Sequence, residues 1–128
     1  MPWIEPEAVA AALRAAEAGP GLADLACAPE LSAWSVVTYP GEENIRLAGH
    51  VWGHPVIEGP TITTSPVVAL DEGDGRVGWA RTLSRWYRLD VASFRPADPE
   101  TRADELAAIG RALAGYRRAL AGIVPALH

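Results

Sequence analysis

A chain of 128 residues, 49% hydrophobic and 21% charged, can bury one real core and is too short for two enzyme-sized domains, so a single domain spanning 1–128 is expected. Eleven basic residues, every one arginine, stand against sixteen acidic ones for a net charge of −5, which disfavours a protein built to coat DNA or an anionic membrane. One cysteine cannot form an internal disulfide, no apolar run reaches spanning length, and the start carries Glu5, Glu7 and Glu17 in place of a signal peptide, so the expectation is a cytoplasmic protein with no membrane contact.

Pro6 to Glu17 is rich in Ala, Leu, Arg and Glu, sets Val9, Leu13 and Ala16 on one stripe and stops at Gly19-Pro20, which predicts a first helix. Leu22 to Ala26 predicts a second, short helical stretch, and Leu31 to Trp34 one more turn leading into Val36, Val37 and Tyr39. From Ile45 to Asp90 the pattern alternates between turn signals, the signature of a β-meander. In its first strand Ile45, Leu47, Gly49 and Val51 share one face, and Arg46, Ala48, His50 and Trp52 the other. Ile62 to Leu70 forms the next alternating set, broken, bulged or at an edge near Pro66, which has no amide hydrogen to donate. Val77 to Arg81 and Ser84 to Leu89 are the last two strand candidates, or one long strand bent at Leu83.

Asp98 as N-cap and Pro99 at the first helical position open the final helix. Its stripe of Leu106, Ile109, Leu113, Tyr116, Leu120, Ile123 and Leu127 repeats every three and four residues, flanked by Gly110, Ala114 and Gly122. The stripe covers this chain's own sheet and first helix, or else Leu106, Leu113 and Leu120 make a homodimer seam. The fold class is therefore α+β: an antiparallel β-meander of about four strands, flanked by an N-terminal helix and a long C-terminal helix.

Chemistry is sparse. His50 and His54 are four apart, but on an extended strand that spacing separates them by about 13 Å, and no third ligand falls nearby, so no metal and no cofactor are expected. Ser65, Ser84 and Cys27 lie in no recognised nucleophile context, Cys27 reads as a small buried thiol, and the Thr63-Thr64-Ser65 hydroxyls serve backbone at a strand irregularity. Glu42-Glu43 and Asp71 to Asp74 fall in turns, and the glycines between strands open no helix that would cradle phosphate.

The unusual stretch is Arg76 to Arg95, where Arg76, Arg81, Arg85, Arg88 and Arg95 face one acid, Asp90, and interleave with Trp79, Trp86, Tyr87 and Phe94. Planar guanidinium and aromatic faces suit phosphate, carboxylate or nucleobase, while the structural alternative pairs these arginines with the many acids elsewhere. Strand parity puts Arg81 and Arg85 on one side and Arg88 on the other, barring a bulge at Leu83 or Ser84. The candidate binding residues are Arg81, Arg85 and Tyr87, with Ser65 or Thr63 as hydroxyl donors, and His50 and Trp52 on the meander's first strand.

At Ala28-Pro29-Glu30-Leu31-Ser32-Ala33-Trp34, Gly49-His50-Val51-Trp52-Gly53-His54-Pro55, Thr64-Ser65-Pro66 and Arg81-Thr82-Leu83-Ser84-Arg85-Trp86-Tyr87-Arg88-Leu89 the chain resembles a family of small alphaproteobacterial proteins, a domain of unknown function. The resemblance covers the middle half of the chain and leaves the terminal helices outside. It implies that the Gly-His-Pro, Thr-Ser-Pro and Arg-Thr-x-Ser-Arg-x-Tyr segments act as one unit, as fold signature or shared site, and it supplies no catalytic residue.

The functional expectation is a non-enzymatic interaction protein: a regulator, accessory subunit or inhibitor, of the kind found in phage-defence or toxin systems, binding a protein partner. The alternative is a module for a small anionic ligand or single-stranded nucleic acid using the arginine and aromatic sheet face, with nucleic acid disfavoured by the net charge. An enzyme ranks third, because no acid, base and nucleophile arrangement is recognisable.

Overall fold

The computed structural model describes residues 5–54, 61–71, 78–90 and 99–123. Helix α1 (Pro6–Ala18) starts on the proline and ends where Gly19, at φ +77°, returns its amide to the Ala15 carbonyl. Helix α2 (Leu22–Ala26) is a single short turn, with the Asp24 carboxylate accepting from the Gly21 amide at 2.8 Å.

Six strands follow: β1 (Glu30–Val37), β2 (Arg46–Trp52), β3 (Ile62–Thr63), β4 (Val67–Leu70), β5 (Trp79–Thr82) and β6 (Trp86–Leu89), before the long helix α3 (Pro99–Ile123). The α+β class and its two flanking helices hold, but the sheet has six strands and is not wholly antiparallel. Its order is β3-β2-β1-β6-β5-β4, with β1 parallel to β6 at Glu30 opposite Arg88 and Leu31 opposite Leu89.

One of the two extra strands is β1, where the Leu31 to Trp34 helical turn was expected. Between Ser32, paired with His50, and Ser35, paired with Ala48, two β1 residues oppose the single Gly49. This is a β-bulge. Ala33 takes the strained position at φ +49° and stays exposed, so Trp34 turns inward beside Leu31 and donates its indole N–H to the Asp90 carbonyl at 2.9 Å. The inserted residue sets inward side chains three apart, which mimics the helical period.

The expected break at Pro66 splits Ile62 to Leu70 into β3 and β4, and these lie at opposite ends of the sheet order. Four Cα steps from Thr63 to Val67 reach about 14 Å, whereas the edges of a flat six-stranded sheet stand about 24 Å apart, so the sheet must curl until its edges meet. The hydrogen bonds agree: the Thr64 amide donates to Leu47, the Val67 amide to Ile45, and the Pro66 carbonyl accepts from Leu83. Counting β3 and β4 as one bent strand gives a five-strand meander. In a meander with an odd number of strands the first and last run the same way, which is why the closing pair, β1 and β6, is parallel.

The inner core gathers Leu31, Trp34, Ile45, Leu47, Val51, Val67, Leu70, Ala80, Tyr87 and Leu89. Leu113 of α3 joins it, with Leu106 and Ile109 packed against it, while Leu120 joins Val9, Ala12, Val68 and Leu83 in a second cluster under α1 that Tyr116 flanks. From Leu106 to Leu120 the α3 stripe thus packs on its own sheet and α1. Leu113 and Leu120 are 3% and 4% exposed within one chain, so these two side chains are already used in covering their own sheet and first helix, and are not exposed for the alternative seam through Leu106, Leu113 and Leu120. Asp98, Leu127 and Pro125 lie outside the described residues.

Candidate functional site

The last two strand candidates are separate strands of a tight hairpin. Thr82 holds the Leu83-Ser84 turn: its amide donates to the Arg85 carbonyl at 2.9 Å, and its buried hydroxyl oxygen accepts from the Ser84 and Arg85 amides at 3.1 and 3.2 Å. The register pairs Arg81 with Trp86 and Trp79 with Arg88 on one face, and Ala80 with Tyr87 on the other. The expected grouping is therefore overturned: Arg81 shares its face with Arg88, while Arg85 sits at the hairpin corner on the Tyr87 side. Parity counted along one continuous strand fails once the chain reverses.

On the outer face Arg81 lies across the Trp86 ring, its guanidinium carbon 5.5 Å from the ring centre, and its Nε donates to the Thr82 carbonyl at 2.9 Å. Trp86 also meets Trp79 edge-on with centres 5.5 Å apart. Helix α2 packs over this end of β6, leaving a cleft of about 380 Å³ between α2 and the hairpin, lined among others by Asp24, Cys27, Arg81, Ser84, Arg85 and Trp86. Arg81 and Arg85 thus line one cleft, brought together by the corner and not by strand parity. Ser65 stands one hydrogen bond behind it, its Oγ 2.9 Å from the Ser84 Oγ. Cys27, expected as a buried thiol, is exposed here because α2 lies on the sheet's rim.

The electrostatics are unbalanced. Among the described residues the ion pair joins Arg46 to Glu42 at 3.9 Å, and none of Arg81, Arg85 and Arg88 has a carboxylate within ion-pair reach. Burial lowers the Arg81 pKa from its usual value, with the Asp24 charge opposing it. Arg88 is tied to the fold instead, donating from Nε to the Ala28 carbonyl at 3.1 Å.

The remaining candidates fall elsewhere. Tyr87 is 4% exposed in the inner core, against His54 with ring centres 6.4 Å apart, so it packs and presents no face to a ligand. Burial raises its phenol pKa, the Arg85 charge opposing, while burial and Arg85 together lower that of His54. His50 and Trp52 point outward from β2; His50 borders a shallow depression with Ser35 and Thr63 at the bulge. Trp52 is 63% exposed and pinned, its indole N–H donating to the Ser32 hydroxyl at 3.1 Å. Across the sheet Trp52, Glu30, Arg88 and Trp79 form one transverse row. Thr64 serves backbone as expected, accepting from the Leu47 amide and donating to the Ser65 carbonyl.

The sequence reading missed Asp24 beside Arg81 because their meeting depends on where α2 lands on β6, and it missed Trp86 beneath Arg81 because that pairing depends on the chain reversing at Leu83-Ser84.

A family of unknown function, DUF6634, matches residues 2–122. The chain belongs to this family. The match takes in both terminal helices, so the DUF6634 unit is the curled sheet together with α1 and α3, wider than the middle half that the motifs covered. No curated protein and no solved structure matches the chain. No helix among the described residues is long and apolar enough to cross a membrane.

Proposed function

We propose that this DUF6634 protein is a non-enzymatic binding module that meets a protein partner on the outer face of β1 and β2. The observation carrying this reading is Trp52, a large aromatic left 63% exposed yet fixed across the strands by its bond to Ser32. An aromatic held in one orientation before binding loses little conformational entropy on contact, which is how interface hot spots gain their strength. His50 beside it and Glu30 opposite it supply the polar surroundings of such a contact. Roles that fit are a regulator, an accessory subunit or an inhibitor in a phage-defence or toxin system, in a cytoplasmic setting and an alphaproteobacterial host.

The test is affinity purification of tagged wild type and Trp52→Ala from the native host, quantified by mass spectrometry. A partner recovered with wild type and lost with Trp52→Ala, at an unchanged melting temperature, supports the reading; equal recovery with both overturns it.

A further inference from the structure

We propose that the cleft between α2 and the β5–β6 hairpin binds a carboxylate, held by Arg81 and Arg85 with Ser84 as hydroxyl donor. This site is separate from the Trp52 face and does not depend on it.

Three observations converge. Arg81 is fixed in advance: Trp86 supports its plane and the Thr82 carbonyl takes its Nε, so its terminal nitrogens are the part left to meet a ligand. Neither it nor Arg85 is neutralised by a carboxylate within ion-pair reach among the described residues, although both border a cleft of about 380 Å³, within the range of small-molecule pockets. A half-buried cation without a counter-ion bears a desolvation cost that an incoming anion relieves. The Ser65–Ser84 pair adds a directed donor: when Ser65 donates to Ser84, the Ser84 proton is left for the ligand.

The charge count selects the anion. Two guanidiniums against the Asp24 carboxylate leave the cleft at +1, which a monoanionic carboxylate balances, whereas a phosphate dianion overshoots and is repelled by Asp24. Nucleobase stacking is not on offer, since Trp86 is 8% exposed beneath Arg81. The carboxylate belongs either to a small organic acid or to the free end of a peptide.

The test is an NMR titration following the Ser84 and Arg85 amides with acetate and with inorganic phosphate at matched ionic strength. Acetate should shift both signals saturably and bind about tenfold more tightly than phosphate, a difference of about 1.4 kcal/mol. Arg85→Ala should weaken acetate by at least about tenfold at an unchanged melting temperature, and Asp24→Asn should reverse the preference toward phosphate. Trp52→Ala should leave the titration intact, so loss of a protein partner and loss of this site are told apart. A tripeptide that binds more tightly than its amidated form and than acetate places the carboxylate on a chain end; a tripeptide no better than acetate places it on a small acid. Wild-type preference for phosphate, or an acetate response undiminished in Arg85→Ala, overturns the proposal.

Discussion

Gly49 lies directly under the Ser32 carbonyl: a β-carbon at Gly49 would stand 2.7 Å from that oxygen and 3.0 Å from the Trp34 Cα. Both neighbours are backbone of the β1 bulge and cannot swing aside. Gly49→Ala should therefore cost about 1–3 kcal/mol, read as a lower urea midpoint at unchanged slope. Ala33→Gly should do the opposite on the same bulge, gaining up to about 1 kcal/mol, because φ +49° costs alanine and not glycine. A destabilised Ala33→Gly would show that the bulge does not strain this residue.

The Thr82 hydroxyl holds the Leu83-Ser84 turn of the β5–β6 hairpin. Thr82→Val keeps its volume but strands the Ser84 and Arg85 amides, so a loss of about 1–3 kcal/mol in thermal or urea unfolding is expected. A loss below about 0.5 kcal/mol would mean that water takes over the hydroxyl's bonds.

The three hairpin arginines should separate in stability. Arg85→Ala should stay within about 0.5 kcal/mol of wild type, as its guanidinium has no hydrogen bond to any described residue. Arg88→Ala loses the bond to Ala28 and should cost about 1 kcal/mol, and Arg81→Ala, losing its place over Trp86 and its bond to Thr82, about the same. Parallel denaturant melts rank them, and an Arg85 loss equal to that of Arg88 would make Arg85 a structural residue.

Leu113→Ala should open a core cavity costing about 2–5 kcal/mol while leaving the elution mass of the protein unchanged, because Leu113 is spent inside one chain. Light scattering alongside calorimetry checks both halves; a change of mass would restore the seam.

Alkaline pH should weaken the fold. Burial raises the Tyr87 and Tyr116 phenols above their ordinary 10.0, so above about pH 10 the unfolded chain ionises while the folded one resists, and stability falls as pH climbs toward the folded values. Below pH 10 this contribution is fully present. Tyr87→Phe should flatten the decline in denaturant midpoint between about pH 9 and 11, and an unchanged slope would place the alkaline sensitivity elsewhere.

Much of the fold is local and was legible in residue order. Pro6, Gly19 and the Ala-rich run bound α1, alternation put Leu47, Gly49 and Val51 inside and His50 and Trp52 outside, and Pro66 broke its strand where a missing amide demanded it. The candidate site was half legible: Arg81 and Arg85 stood out by composition alone. What only tertiary structure decided were the relations that depend on register and closure. The bulge at Ala33 gave Leu31 and Trp34 a helical spacing inside a strand, the reversal at Leu83-Ser84 inverted the faces of Arg81 and Arg85, and the docking of α2 brought Asp24 to the arginines. A period records one residue's neighbours along its own element, whereas a single inserted residue or a reversal of the chain exchanges the two faces of everything that follows.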